Sequence, residues 1–414
     1  MKNMVKMSIV AASLVATTAM AADKGIDIVT TGQAVVYYQT LANNGSGAPD
    51  LFDQATARAN VGVQLNLDAD LKNNFTFGSQ INYLGTLGLE KNIVSGTMQN
   101  TNGGITESNI ADDVYLSQLY IAKKIANTTV KLGRQELPQS LSPFAYSEGW
   151  NVFKNTFDAA LVVNSDIPNT TLVGAYVAKG NFNGVGSNMS NFGDLSVNST
   201  LGTLNVDSTA YMLTVQNKSI PMATVTGTYY ALSNVAGSID ADVLWGDVAI
   251  AGKDLPMGLN FGIQGGQISP DSGVKDTNAF GVKAGMKVDA LSLTAAYTTV
   301  DDGVVGIRNT GGIKTPLYTQ MILNQSSLYI DNDTYMLKAA YSLGDAGTII
   351  AQGTMTDDNR NIAIPKDLTD LELIYKVKAG GVNFLAAYVN QSWDAAAGAA
   401  DGQDLIRFVA RYNF

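Results

Sequence analysis

The chain has no cysteine and no histidine among its 414 residues. Without cysteine no disulfide can hold the fold, and the absence carries no redox clue in either direction. Without histidine the usual general base and metal ligand are missing, and no Ser-His or Cys-His pair can form. The familiar hydrolase triads are excluded with them, so the chain is expected to be no enzyme and to need no cofactor. Proline is scarce at 9 residues, and 26 Lys and Arg stand against 36 Asp and Glu. The net charge of −10 argues against a nucleic-acid partner. Beyond the first 21 residues no apolar run approaches the roughly 20 residues a membrane-spanning helix needs.

What is abundant is glycine, with 41 residues, together with Tyr, Thr, Asn, Val and Ala. That mixture suits strands and tight turns. The start of the chain has the form of an export signal: Lys2 and Lys6, an uncharged apolar stretch over 7–20, and the small-residue site Ala19-Met20-Ala21. Residues 1–21 are expected to be removed, leaving 22–414 as a single domain with 24 basic against 36 acidic residues, a net −12.

The mature sequence alternates. In "RANVGVQLNLDAD" Val61, Val63, Leu65 and Leu67 share one face, and Arg58, Asn60, Gln64, Asn66 and Asp68 the other. The same holds for Phe280, Val282, Ala284 and Met286 against Lys283 and Lys287, and for Tyr335, Leu337, Ala339 and Tyr341 against Lys338. Leu371, Leu373, Tyr375 and Val377 likewise oppose Glu372, Lys376 and Lys378. Period two over about ten residues marks a strand with one face to lipid and one to a wet lumen. Eighteen such segments can be marked, with sixteen as the alternative, joined by short turns that alternate strictly with long polar loops. This predicts an all-β transmembrane antiparallel barrel in the outer membrane of a bacterium. It must close, because an open strand edge in hydrocarbon leaves backbone groups unpaired at several kcal/mol each. A barrel of this size is too wide for side chains to fill.

Two stretches are more specific. The last, "DLIRFVARYNF", alternates to Phe414, with Phe408 and Tyr412 on the apolar face and Arg407 and Arg411 on the other. The other follows the fifth strand: "GRQELPQSLSPFAYSEGWNVFKNTFDA", residues 133–159. It carries Phe144, Tyr146, Trp150, Phe153 and Phe157 with Arg134, Glu136, Glu148 and Lys154, an aromatic content that a solvated loop does not use. It is expected to fold into the lumen, although an interfacial aromatic girdle is the alternative for Phe157.

A Gly-Arg-Gln step leading into a folded-in third loop resembles the trimeric porins of Gram-negative bacteria. The form here is most similar to the major outer-membrane porins of epsilonproteobacteria and the wider OprD-related group. The resemblance implies a third loop lining the narrowest part of an eighteen-stranded channel, with Arg134, Glu136, Tyr146, Glu148, Trp150 and Lys154 at the constriction. It also implies a homotrimer embedded in lipid and lipopolysaccharide, and a C-terminal strand whose Phe408, Tyr412 and Phe414 are read by the barrel-assembly machinery.

The expected lumen-facing bases are Arg58, Lys131, Lys283, Lys287, Lys338, Lys376, Arg407 and Arg411, thinner than the arginine ladder of specific members. General diffusion of ions and small hydrophilic solutes is therefore expected. A solute-specific channel or a structural or adhesin barrel are the alternatives. Acidic residues crowd the long loops, and "DNDTY" and "TVDDG" offer oxygen ligands without a full EF-hand pattern, which leaves open a divalent cation there.

Overall fold

The computed structural model describes residues 26–414 except 102–112, 196–207, 237–238, 253, 272, 361–366 and 397–398. The expected export signal, 1–21, lies outside the described residues. Eighteen strands form one antiparallel sheet that closes on itself. In chain order they are β1 (Asp27–Asn43), β2 (Ala57–Lys72), β3 (Phe75–Gly85), β4 (Asp113–Ile125), β5 (Thr128–Gln135) and β6 (Phe157–Asn164). There follow β7 (Thr170–Gly180), β8 (Thr209–Asn217), β9 (Ala223–Ala236), β10 (Ile239–Ala251), β11 (Asn260–Pro270) and β12 (Thr277–Val288). The last six are β13 (Leu291–Val300), β14 (Asn332–Ser342), β15 (Thr348–Asp358), β16 (Leu368–Ala379), β17 (Val382–Trp393) and β18 (Gly402–Asn413). The alternative of sixteen strands is set aside.

Each strand pairs with its chain neighbours, and β1 pairs with β18 from Gln33↔Asn413 to Asn43↔Gln403. One end of the barrel carries tight turns. Gly380 and Gly381 link β16 to β17 at φ 56° and 82°, the left-handed conformation a two-residue hairpin turn requires. The other end carries the long loops, but the alternation is not strict. The β9–β10 connection is residues 237–238 alone, shorter than the 252–259 turn that joins β10 to β11 at the opposite end. The β9–β10 register shifts between Leu232 and Ala236, so this hairpin runs on where a loop was expected.

The period-two pattern sets the two faces. Leu337 (70 % exposed), Leu244 (65 %) and Leu373 (54 %) point outward, as fits lipid contact. Outward tyrosines near the long-loop end reach neighbouring-strand carboxylates: Tyr229, Tyr297 and Tyr388 donate to Asp242, Asp333 and Asp404, each at 2.6 Å. Near the other end Phe408, Tyr412 and Phe414 also face outward. Phe414 exchanges two backbone hydrogen bonds with Gly32, at 2.7 and 3.0 Å, and its ring fills the place of a Gly32 Cβ. Deleting Phe414 should therefore sharply reduce heat-modifiable, folded protein in outer-membrane fractions. Assembly at the wild-type level would remove any role for this residue in closure.

Candidate functional site

The third long loop, residues 136–156 between β5 and β6, lies inside the barrel. Leu137, Phe144, Ala145, Tyr146, Val152 and Phe153 are all at most 3 % exposed. The outgoing arm follows the wall: the Leu141 carbonyl accepts from Thr214 of β8 at 2.8 Å, and Phe144 packs edge-on against Tyr230 of β9 and Trp245 of β10. The returning arm reaches the far side, where the Phe153 ring lies over Gly62 of β2 and the Val152 carbonyl accepts from Arg411 Nη2 of β18 at 2.9 Å. Burying a large apolar side chain is worth roughly 1.5–3 kcal/mol, so several such anchors outweigh the entropy of tying the loop down.

The wall beneath is not uniformly polar. Inward-facing Val173, Ala175 and Val177 of β7, Ala210 and Met212 of β8, and Val243 and Trp245 of β10 form one apolar cluster. Leu137 and Phe144 of the third loop join it, with Leu195 of the fourth loop (β7–β8) and Ile307, Leu317 and Leu328 of the seventh (β13–β14, residues 301–331). The lumen is thus packed on its β7–β10 side at the long-loop end. The seventh loop continues this lining: Tyr318 Oη donates to Asp247, Met321 packs with Ala296 and Met336, and the Ile322 amide donates to Glu372 Oε1 at 2.6 Å.

Glu148 joins three loops. It is 2 % exposed, and its Oε1 accepts from the Trp150 indole and the Ile313 amide, both at 2.9 Å. Its Oε2 accepts from Asn309 Nδ2 and the Lys314 amide, both at 3.1 Å. The Glu148 carbonyl accepts from Asn183 of the fourth loop at 2.9 Å. Gly312 has no room for a Cβ, which would sit 2.2 Å from Glu148 Cδ. Carboxamides complete the junction: Asn155 bridges the Glu148 amide and the Tyr146 carbonyl, and Gln99 of the second loop (β3–β4) reaches the Phe153 carbonyl and Asn183.

The expected constriction residues therefore separate into three groups. Glu148, Tyr146 and Trp150 are buried in the junction and present no open charge to the lumen. Tyr146 donates to the Thr315 carbonyl at 3.1 Å, and burial, reinforced by the Glu148 charge, pushes its phenol well above the usual range. Trp150 lies 5.2 Å from the Arg407 guanidinium. Glu136 and Lys154 do face the lumen and pair at 2.6 Å. Arg134 is a correction: it is in register with Leu119 and on the face of exposed Leu132, which turns it outward. There it binds Asp158 at 2.8 Å, with the Phe192 ring 3.3 Å from its Cζ. The Gly-Arg-Gln step places arginine one residue out of phase with the lumen.

The eight expected bases are all on inward positions, with different surroundings. Arg58 donates to the Thr97 carbonyl of the second loop at 3.3 Å. Lys131 and Lys283 lie over the rings of Tyr120 and Tyr318, at 3.6 and 3.9 Å. Lys287, Lys338 and Lys376 line the wall of β12, β14 and β16. Arg407 is 4 % exposed and donates to Gln39 Oε1 at 2.7 and 3.0 Å, whereas Arg411 donates to Gln33 and to the third loop.

Lys314 escaped the sequence pattern. This seventh-loop lysine lies in the fields of Glu148, Arg407, Glu372 and Lys376, and burial lowers its pKa. Its signal is present in the sequence, because "IKTPLYTQMIL" is as apolar as the third loop although it carries a single aromatic, Tyr318. The throat is also less basic than expected, since Asp247, Asp370 and Glu372 point inward beside the lysines. In the acidic stretches, Asp301 binds Asn278 and Asp302 pairs with Lys275. Among the described residues no group of three or more acidic side chains is placed to hold a metal ion.

No family model matches the sequence, and no curated protein does. Solved structures do match. The chain superposes on Pseudomonas aeruginosa OccK8 (OprE) with a TM-score of 0.73 at 16 % identity, over 94 % of this chain and 98 % of that one. It matches P. aeruginosa OpdK, solved with vanillate, at a TM-score of 0.72 and 14 % identity over 94 % and 98 %. It matches Acinetobacter baumannii OccAB3 at 0.70 and 14 % over 93 % and 99 %. The resemblance read from the third loop and the last strand is thus met at the level of the fold, and the chain has the barrel of the OprD-related outer-membrane porins.

Proposed function

We propose that this protein is an outer-membrane porin that passes ions and small polar solutes down their gradients through the space its third and seventh loops leave open. The observation that carries this reading is a closed barrel, apolar outside, whose inner loops are anchored on opposite walls and leave charged groups facing the lumen. In this reading residues 1–21 direct export and are removed. The outward aromatics of β18 are recognised during assembly, and the mature barrel sits in lipopolysaccharide-containing membrane as a homotrimer. Neither a cofactor nor a catalytic step is required. Planar-bilayer recording tests the channel directly.

Lys154 and Glu136 are the expected-constriction charges still open to passing ions. At about 4 Å and an effective dielectric near 20 a unit charge is worth roughly 4 kcal/mol, which water and salt reduce to about 1 kcal/mol, or several-fold in local ion concentration. Lys154→Glu should therefore move the reversal potential toward cations. The same measurement on Asp301→Lys, in the seventh loop, or Asp357→Lys, exposed at the long-loop end of β15, should show a smaller shift that vanishes at high salt. Equal shifts at all three sites would place Lys154 outside the ion path.

A further inference from the structure

Between the returning arm of the third loop and the inward faces of β1–β4 and β18 the barrel encloses a cavity of about 530 Å³, a size typical of small-molecule sites. Its lining is dominated by carboxamides: Gln33, Gln64, Asn66, Gln80, Gln118 and Asn151. Two cations, Lys154 and Arg411, and two carboxylates, Asp68 and Glu136, also border it, so the charges sum to zero. Each of these is already engaged. Lys154 pairs with Glu136 at 2.6 Å, Tyr120 donates to Asp68 at 3.2 Å, and Arg411 donates to Gln33 and to the Val152 carbonyl.

The carboxamides are chained but not saturated. Gln33 donates to Gln64 Oε1 at 2.5 Å and Gln80 to Asn66 Oδ1 at 2.8 Å. Gln118 Nε2 reaches Glu136 at 3.4 Å. Among the described residues the Gln64 NH2 and the Gln118 carbonyl have no hydrogen-bond partner, so the cavity presents an open donor and an open acceptor. A hydroxyl is both donor and acceptor and answers either group. A charged solute finds no net countercharge and must compete with the Lys154–Glu136 pair, and an apolar one leaves the amides unpaired.

We propose that this chamber binds an uncharged, hydroxyl-rich solute of mono- to disaccharide size as it passes. The proposal rests on the channel reading above, since such a solute arrives through the pore. Its test does not. Equilibrium dialysis of labelled sucrose against the folded, detergent-solubilised barrel should show saturable binding, weakened about tenfold, the effect of one good hydrogen bond, in Gln64→Leu and in Gln118→Leu. Heat-modifiability checks that both variants remain folded, and Lys218→Gln, in the turn between β8 and β9 and outside the chamber, should bind as the wild type does. Sodium gluconate, hydroxylated but charged, should compete poorly. Conductance without saturable sucrose binding, or binding unchanged in both leucine variants, overturns the chamber. Tighter competition by gluconate does so too, because it makes the site an anion site. Sucrose binding in a barrel that does not conduct overturns the channel reading instead.

Discussion

Glu148→Ala should raise single-channel conductance and open-channel noise, with little change in ion preference. Four donors converge on this carboxylate within 3.1 Å, from Trp150, Asn309, Ile313 and Lys314. Each buried donor left without an acceptor costs about 1–3 kcal/mol. The Ile313 and Lys314 amides lose their acceptor outright, whereas Trp150 and Asn309 keep the Asn183 and Tyr146 carbonyls and the Thr310 amide still donates to the Phe144 carbonyl at 2.8 Å. The seventh loop is therefore expected to loosen at 312–314 and let water reach those two amides. Glu148→Gln keeps a single acceptor oxygen and should fall between. A selectivity reversal from Glu148→Lys, the natural expectation for a pore charge, is not expected, because the site is buried and the substitution sets a cation against Lys314. Unchanged conductance in a folded Glu148→Ala barrel would mean that this junction does not set the aperture.

Lysine at a mid-strand outward site should cost about 2–4 kcal/mol, against little at an inward one. Leu337→Lys and Leu373→Lys place an ammonium on the face that contacts hydrocarbon. Thr226→Lys instead points into the lumen in register with Asp247 of β10. Glu372 is unsuitable as the inward control, since it holds the Ile322 amide, and Gly281 is crowded by Thr298 and Gln264. Urea midpoints in lipid vesicles should drop for the two leucine sites and stay near wild type for Thr226→Lys. Equal midpoints for all three would contradict the assignment of faces.

The barrel was legible in the sequence because lipid imposes a strict period on each strand, as in 280–288 or 335–341. Strand number and the inward set of lysines follow from that period alone. Where that period is broken, the two faces are not legible. On β8 Met212 faces in while Tyr211 and Leu213 face out, and on β10 Trp245 faces in while Leu244 faces out. Runs such as "YMLTV" and "DVLW" are apolar on both faces because loops cover them from inside, and an unbroken apolar run is the mark of such double burial. The Gly-Arg-Gln motif points Arg134 into the pore, whereas the parity of β5 turns it outward. Glu148 reads as a pore charge because no one-dimensional pattern shows that Asn309, Ile313 and Lys314, more than 150 residues away, supply its donors.

The most direct test is planar-bilayer recording of the purified, folded protein in potassium chloride at several voltages. Discrete, reproducible conductance steps, enlarged in Glu148→Ala, are the predicted result. A folded, inserted protein that gives no steps in either form would contradict the channel.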